Sequence, residues 1–286
     1  MRVLVLGGGQ IARAVAASAP AWHQVMVQAR TDLDITDTAA VARVLASVKA
    51  DWIVNAAAYT AVDRAEDEPA HARVVNDTAV ATLVDGAARG GSRLLHLSTD
   101  FVFDGASGRA YLPTDAPNPL SVYGATKLAG ENHVIAGRTG IVLRTSWVYA
   151  SVGKNFVLTM LKLMREREQV SVVCDQIGAP TWASSAAEAI WGLIDAAADG
   201  GVYHWTDLGV ASWYDFAVAI QEEALERGLI SRAAYVVPIP TSAYPTRAKR
   251  PNFSVLDTAA TRSLIKTPGR HWRRNLRKML DEFRTA

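Results

Sequence analysis

What the chain has little of narrows the field first. Its single cysteine, Cys174, excludes an internal disulfide and suits a reducing compartment. No Cys/His cluster has metal-ligand spacing, so no metal site is expected. No stretch offers about 18 uninterrupted apolar residues, which argues against a membrane span. An excess of charge of one sign is also lacking. The 30 basic and 28 acidic residues leave a net charge of +2, too little to suggest nucleic-acid binding. Basic residues do gather late, as RAKR at 247–250 and RHWRRNLRK at 270–278; the second run reads as the solvated face of a C-terminal helix. The opening MRVLVLGGG enters an apolar strand with no charged leader or cleavage site, so a cytoplasmic location is expected.

What is present is an alternation. RVLVLG, HQVMVQA, DWIVNAAA, RLLHLSTD and GIVLRTSWVY are short apolar runs, spaced widely enough to hold a helix between each pair. Apolar strands without period-two alternation indicate a sheet buried on both faces. The segments between them, such as DTAAVARVLASVKA and NDTAVATLVDGAARGG, have helical spacing. The second opens on Asn76 or Asp77 as a plausible N-cap and stops at Gly90-Gly91. Strand–helix–strand order predicts an α/β fold with a Rossmann-type doubly wound parallel sheet. Beyond about residue 150 the pattern loosens. The division expected is a nucleotide-binding domain over 1–150, with later segments returning to it, and a smaller substrate lobe over 151–286.

The first strand ends in Gly7-Gly8-Gly9-Gln10-Ile11-Ala12, which fits G-x-G-x-x-A in its right context, after a strand and before a helix. Glycines let the backbone approach a pyrophosphate, and the next helix, over about 10–18, offers free N–H groups and its positive dipole end. Gly7, Gly9, Gln10 and Ile11 are therefore candidate cofactor contacts. An NAD-preferring site places an acid at the end of the second strand to hold the ribose 2′-hydroxyl. Here that strand ends Gln28-Ala29-Arg30, and Arg30 suits a 2′-phosphate. NADPH is the expected cofactor, with NADH left open. Asp34-Ile35 follows, where an acid can reach an adenine amino group.

The strand RLLHLSTD ends in Thr99-Asp100, and a loop leads from it to VYGATKLAGE at 122–131. Residues four apart share one helix face, so Tyr123 and Lys127 are predicted to point together toward the open strand ends. A tyrosine ordinarily ionises near pH 10, and a nearby ammonium is expected to bring it toward the working range. A strand-end hydroxyl can orient a carbonyl beside them. Together these form a proton-transfer apparatus suited to a nicotinamide.

Tyr-x-x-x-Lys alone is a weak signal. Joined to the N-terminal glycines, NAAA at 55–58 and the strand-end STD, it resembles the extended short-chain dehydrogenase/reductases. Within that group, six stretches resemble the dTDP-4-dehydrorhamnose reductase family: VNAAAYTAVDRAEDEP (54–69), STDFVFDG (98–105), PLSVYGATKLAGE (119–131), LRTSWVYA (143–150), QIGAPT (176–181) and AYPTRAKRPNFSVLDT (243–258). They keep their order along most of the chain. The resemblance implies reduction of the C4 keto group of a dTDP-linked 6-deoxy-hexose. Tyr123 would be the acid, Lys127 the ribose ligand and tuner of Tyr123, and Thr99 the partner of the C4 oxygen. Ala57, Ala58 and Tyr59 would run beside the cofactor. Asp100 and Trp147 would line the hexose pocket, with Gln176 and Arg250 around the diphosphate. A related deoxysugar ketoreductase of an antibiotic or streptose-type pathway stays open, as does a non-catalytic NADP-binding regulatory subunit. A homodimer also stays open. The family usually carries G-x-x-G-x-x-G; this chain is one residue shorter and ends the motif on Ala12.

Overall fold

The computed structural model describes residues 1–285. Five apolar runs form strands β1 (Arg2–Leu6), β2 (Gln24–Gln28), β3 (Trp52–Asn55), β4 (Arg93–Thr99) and β5 (Ile141–Thr145). Helices α1 (Gln10–Ala17), α2 (Thr38–Val48), α3 (Val62–Ala65), α4 (Pro69–Arg73), α5 (Ala79–Gly90) and α6 (Val122–Ala136) lie between them. The later chain adds β6 (Val148–Tyr149), α7 (Phe156–Glu166), β7 (Gln169–Val173), β8 (Ile177–Gly178), β9 (Thr181–Trp182) and α8 (Ala183–Asp195). It then runs through β10 (Gly201–His204), β11 (Ala211–Ser212), α9 (Trp213–Glu226), β12 (Tyr235–Ile239), α10 (Ala259–Leu264) and α11 (Trp272–Thr285).

The central sheet has the order β10-β5-β4-β3-β1-β2, and every pairing in it is parallel. Alternate residues of its strands feed two apolar layers. Val3, Val5, Val54, Leu95 and Leu143 pack with α1 and α8, whereas Leu4, Leu6, Ile53, Leu94 and Val142 pack with α2 and α5. Burial on both faces is why β1, β3, β4 and β5 lack polar alternation; β2, at the sheet edge, is largely exposed instead, against the expectation for its apolar run. The chain crosses from β2 over β1 to β3, so the winding reverses between β1 and β3, and a crevice opens at their carboxyl ends. A third apolar cluster, centred on Tyr149, Met160, Phe216, Trp272 and Leu276, belongs to the later chain.

Two expectations need correction. Asn76 and Asp77 do not cap a helix. The helical path already begins at Pro69 and passes through a π-helical turn at Val74–Thr78 into α5, so position 76 is interior. Asn76 is instead buried. Its side chain accepts from Tyr59 N–H at 2.9 Å and donates to the Tyr59 carbonyl at 3.0 Å and to Thr126 Oγ1 at 3.2 Å. The basic run at 270–278 is not simply solvated. Arg273 and Arg277 each donate to Oε1 of the buried Glu223 on α9 at 2.8 Å, and Arg227 donates to its Oε2 at 3.0 Å. One buried carboxylate thereby fastens α11 to α9.

Candidate active site

The glycine turn follows β1 directly. Gly7 has φ +115°, and a Cβ there would stand 3.0 Å from the Ala56 carbonyl and from Ala57 N, so only glycine fits. Gly9 precedes α1 with no side chain capping the helix, leaving its first N–H groups open to an anion. Gln10 is fixed from the later chain: its Nε2 donates to the Lys154 carbonyl at 3.2 Å, and Asn155 Nδ2 donates to its Oε1 at 2.9 Å.

Two adjoining pockets fill the crevice. The first, about 430 Å³, is lined by Gly7, Gly8 and Gly9, by Arg30, Asp34 and Ile35, and by Ala57, Ala58 and Tyr59. Arg30 is exposed at its mouth, and Ile35 is buried in its wall. Asp34 Oδ1 accepts from Thr36 N and Oγ1, and these bonds hold its carboxyl below the usual range. The second pocket, about 390 Å³, is lined by Gly9, Gln10, Ile11, Thr99, Asp100, Tyr123, Lys127 and Trp147. Gly9, Ala56, Ala58 and Thr60 line both, so the two form one trough. The shape and donor set fit a dinucleotide: a glycine turn whose Gly7 admits no Cβ, an uncapped helix terminus for a pyrophosphate and an arginine at the outer end.

Ser121 N-caps α6 by accepting from Gly124 N, and this places Tyr123 in the first turn with Lys127 one turn on. Both are buried, at 9% and 2% exposure. The structure corrects the expected electrostatics. Burial pushes the Tyr123 phenol up to about 12, opposed by a hydrogen bond with Thr99. Lys127 does not bring it down, because its Nζ is turned to the Leu97 carbonyl at 2.6 Å and to His96 Nε2 at 3.1 Å. Tyr123 is therefore a protonated phenol across the working range, the form a proton donor needs. Burial lowers Lys127 to about 8, opposed by Glu131.

Thr99 ends β4 with its hydroxyl donating to Asp100 Oδ1 at 3.1 Å and accepting from Phe101 N–H. Asp100 is buried, which raises its carboxyl to about 6 against a Ser254 hydrogen bond, and its Oδ2 has no hydrogen-bond partner. Trp147 carries φ +48°, a rare setting for a bulky residue. Its ring stacks on Trp213 at 3.5 Å, and a Cβ at position 178 would lie 2.6 Å from it, so Gly178 makes room for the indole. Gln176 and Arg250 are not among the residues lining either pocket. Gln176 donates to Thr241 Oγ1 and accepts from Trp213 Nε1, bracing the tryptophan pair. The Arg250 fork grips Asp63 at 2.7 and 3.0 Å.

Sequence reasoning passed over Arg64, Glu68 and His71 in the first pocket, and the buried groups under the second. Arg64 and Glu68 were visible inside VDRAEDEP, but nothing in the spacing turned them toward a cleft. Beneath the second pocket, Glu131 accepts from Ser98 Oγ and pairs with Arg144 at 2.6 Å, all three being buried.

The dTDP-4-dehydrorhamnose reductase of Burkholderia thailandensis is 42% identical over 285 residues, 96% of each chain. The crystal structure of the dTDP-4-dehydrorhamnose reductase of Bacillus anthracis in complex with NADP superposes with a TM-score of 0.92 at 32% identity, covering 98% of this chain and 99% of that one. The UDP-glucose 4-epimerase of Thermus thermophilus, in complex with NAD, shares the fold with a TM-score of 0.85 at 21% identity, over the whole of both chains. The RmlD substrate binding domain family matches residues 1–285, and the chain belongs to that family.

Proposed function

We propose that this protein is an oxidoreductase that uses NADPH to reduce the C4 keto group of dTDP-4-dehydro-L-rhamnose, giving dTDP-L-rhamnose. The observation that carries this is the convergence of Thr99, Asp100, Tyr123 and Lys127 on a pocket continuous with a dinucleotide cradle. NADPH, when bound, supplies the hydride. Everything else falls to side chains. Gly7, Gly9, Gln10 and Ile11 would hold the pyrophosphate, Arg30 would meet the 2′-phosphate, and Asp34, Ile35, Ala57, Ala58 and Tyr59 would border the rest of the cofactor. Thr99 and Tyr123 hold the sugar's C4 oxygen, and Tyr123 protonates it as charge builds there. Lys127 holds the ribose. Asp100 and Trp147 would border the hexose; Gln176 and Arg250, which line neither pocket, would reach the diphosphate only by giving up Thr241 and Trp213, and Asp63.

An intact acid argues for turnover over a purely regulatory binding role. The reading puts the reaction in the cytoplasm, and sedimentation of the purified chain decides between a monomer and a homodimer. Following NADPH oxidation in the presence of dTDP-4-dehydro-L-rhamnose tests the activity. The expected result is turnover, with kcat/KM higher for NADPH than for NADH. No turnover with either cofactor rejects the proposal.

A further inference from the structure

A line of buried polar groups runs under the trough, and its hydrogen-bond directions can be assigned one by one. The Ala57 N–H donates to Asn55 Oδ1 at 3.1 Å. That leaves Asn55 Nδ2 to donate, and it meets His96 Nδ1 at 3.0 Å. A neutral imidazole that accepts at Nδ1 carries its proton on Nε2. His96 Nε2 stands 3.1 Å from Lys127 Nζ, which also donates to the Leu97 carbonyl at 2.6 Å. Every contact is satisfied when Lys127 is an amine that accepts from His96 and donates to Leu97. An ammonium would meet the imidazole N–H donor to donor, with both groups buried.

We propose that His96, fixed by Asn55, is a positioning residue that holds Lys127 Nζ in place and favours its amine form, so that in alkaline solution, where that amine is populated, NADPH binding draws a proton from solvent onto Lys127. This rests on the proposed function. Ribose hydroxyls give the lysine new acceptors, and each acceptor favours the ammonium. The remaining groups around Lys127 are Tyr123 and Glu131 on its own helix, Thr99 and Asp100 at the end of β4, and Asn55 on β3. Arg144 on β5 is committed to Glu131. Burial lowers Lys127 to about 8, and burial, with charge on Lys127 second, holds His96 well below its ordinary value, so the imidazole is neutral.

The test is the dissociation constant of NADPH, read from cofactor fluorescence between about pH 7 and 10. Tyr123 titrates outside this window. Wild-type affinity is expected to hold below a breakpoint near 8 and to fall roughly tenfold per pH unit above it. His96→Ala removes the imidazole donor and admits water that solvates the ammonium, so its breakpoint should rise by about one pH unit. His96→Gln, with an amide near the Nε2 position, should bring it back. A merely structural histidine would weaken binding equally at every pH. An unmoved breakpoint in His96→Ala overturns the proposal. If that variant does not fold, His96→Asn, too short to reach Lys127, carries the same expectation. If the wild type binds no NADPH at any pH, the proposed function falls and takes this inference with it; binding with an unmoved breakpoint removes the inference alone.

Discussion

The smallest functional unit here is a hydroxyl whose proton must be present when it is needed. Burial keeps the Tyr123 phenol protonated, and Thr99 holds its oxygen. Tyr123→Phe keeps the ring and its edge contact with Phe101 but removes the proton. Its kcat should fall by a factor of about 10² or more while NADPH affinity changes less than about twofold, which stopped-flow turnover and fluorescence titration would read. Near-normal turnover would remove Tyr123 from its role. Tyr123, Lys127 and Thr99 were legible in the sequence because helical spacing and a strand end put their side chains on the same side of the sheet. His96, Asn55 and Glu131 were not. A histidine inside an apolar strand looks like any core residue until its partners are known, and those partners are 41 and 31 positions away in the chain.

Helix α6 owes its seat to two glycines. A Cβ on Gly124 would stand 2.2 Å from the Phe101 carbonyl oxygen, and one on Gly130 would stand 2.2 Å from the Asn76 carbonyl. These gaps let the helix press against the turn after β4 and against the π-helical turn. Gly124→Ala, next to Tyr123, must push the first turn of α6 off that carbonyl. Destabilisation of about 2 kcal/mol or more is expected in chemical denaturation, with kcat suffering more than KM. An alanine variant with wild-type stability would show that the helix does not need this seat. The central strands were legible as elements because both faces are apolar. The tight seat of α6 was not, since GATKLAG reads as ordinary helix formers. The helical path through 69–90 was also hidden, because Asn76 and Asp77 are cap formers that here sit mid-helix.

At the scale of the molecule, Asp207 ties late segments together. It accepts from Trp182 N–H at 3.1 Å, and burial raises its carboxyl to about 6. The folded protein keeps this proton up to about 6, whereas the unfolded chain releases it near 3.8. Folding stability contributed here is thus present at low pH and lost as pH rises through that window. Asp207→Asn should raise stability by about 2 kcal/mol at pH 8 and leave it unchanged near pH 4, measured by thermal melts at both; equal gains at both would refute the ionisation argument. The sheet's sixth strand, β10, comes from beyond residue 200 and lies along β5, bringing His204 to 3.4 Å from Arg144. A ribosome that has released every catalytic side chain has therefore not yet released the strand that covers the edge of β5 and sets His204 beside the Glu131–Arg144 pair beneath them. The order of synthesis makes the catalytic residues early and the finished catalyst late.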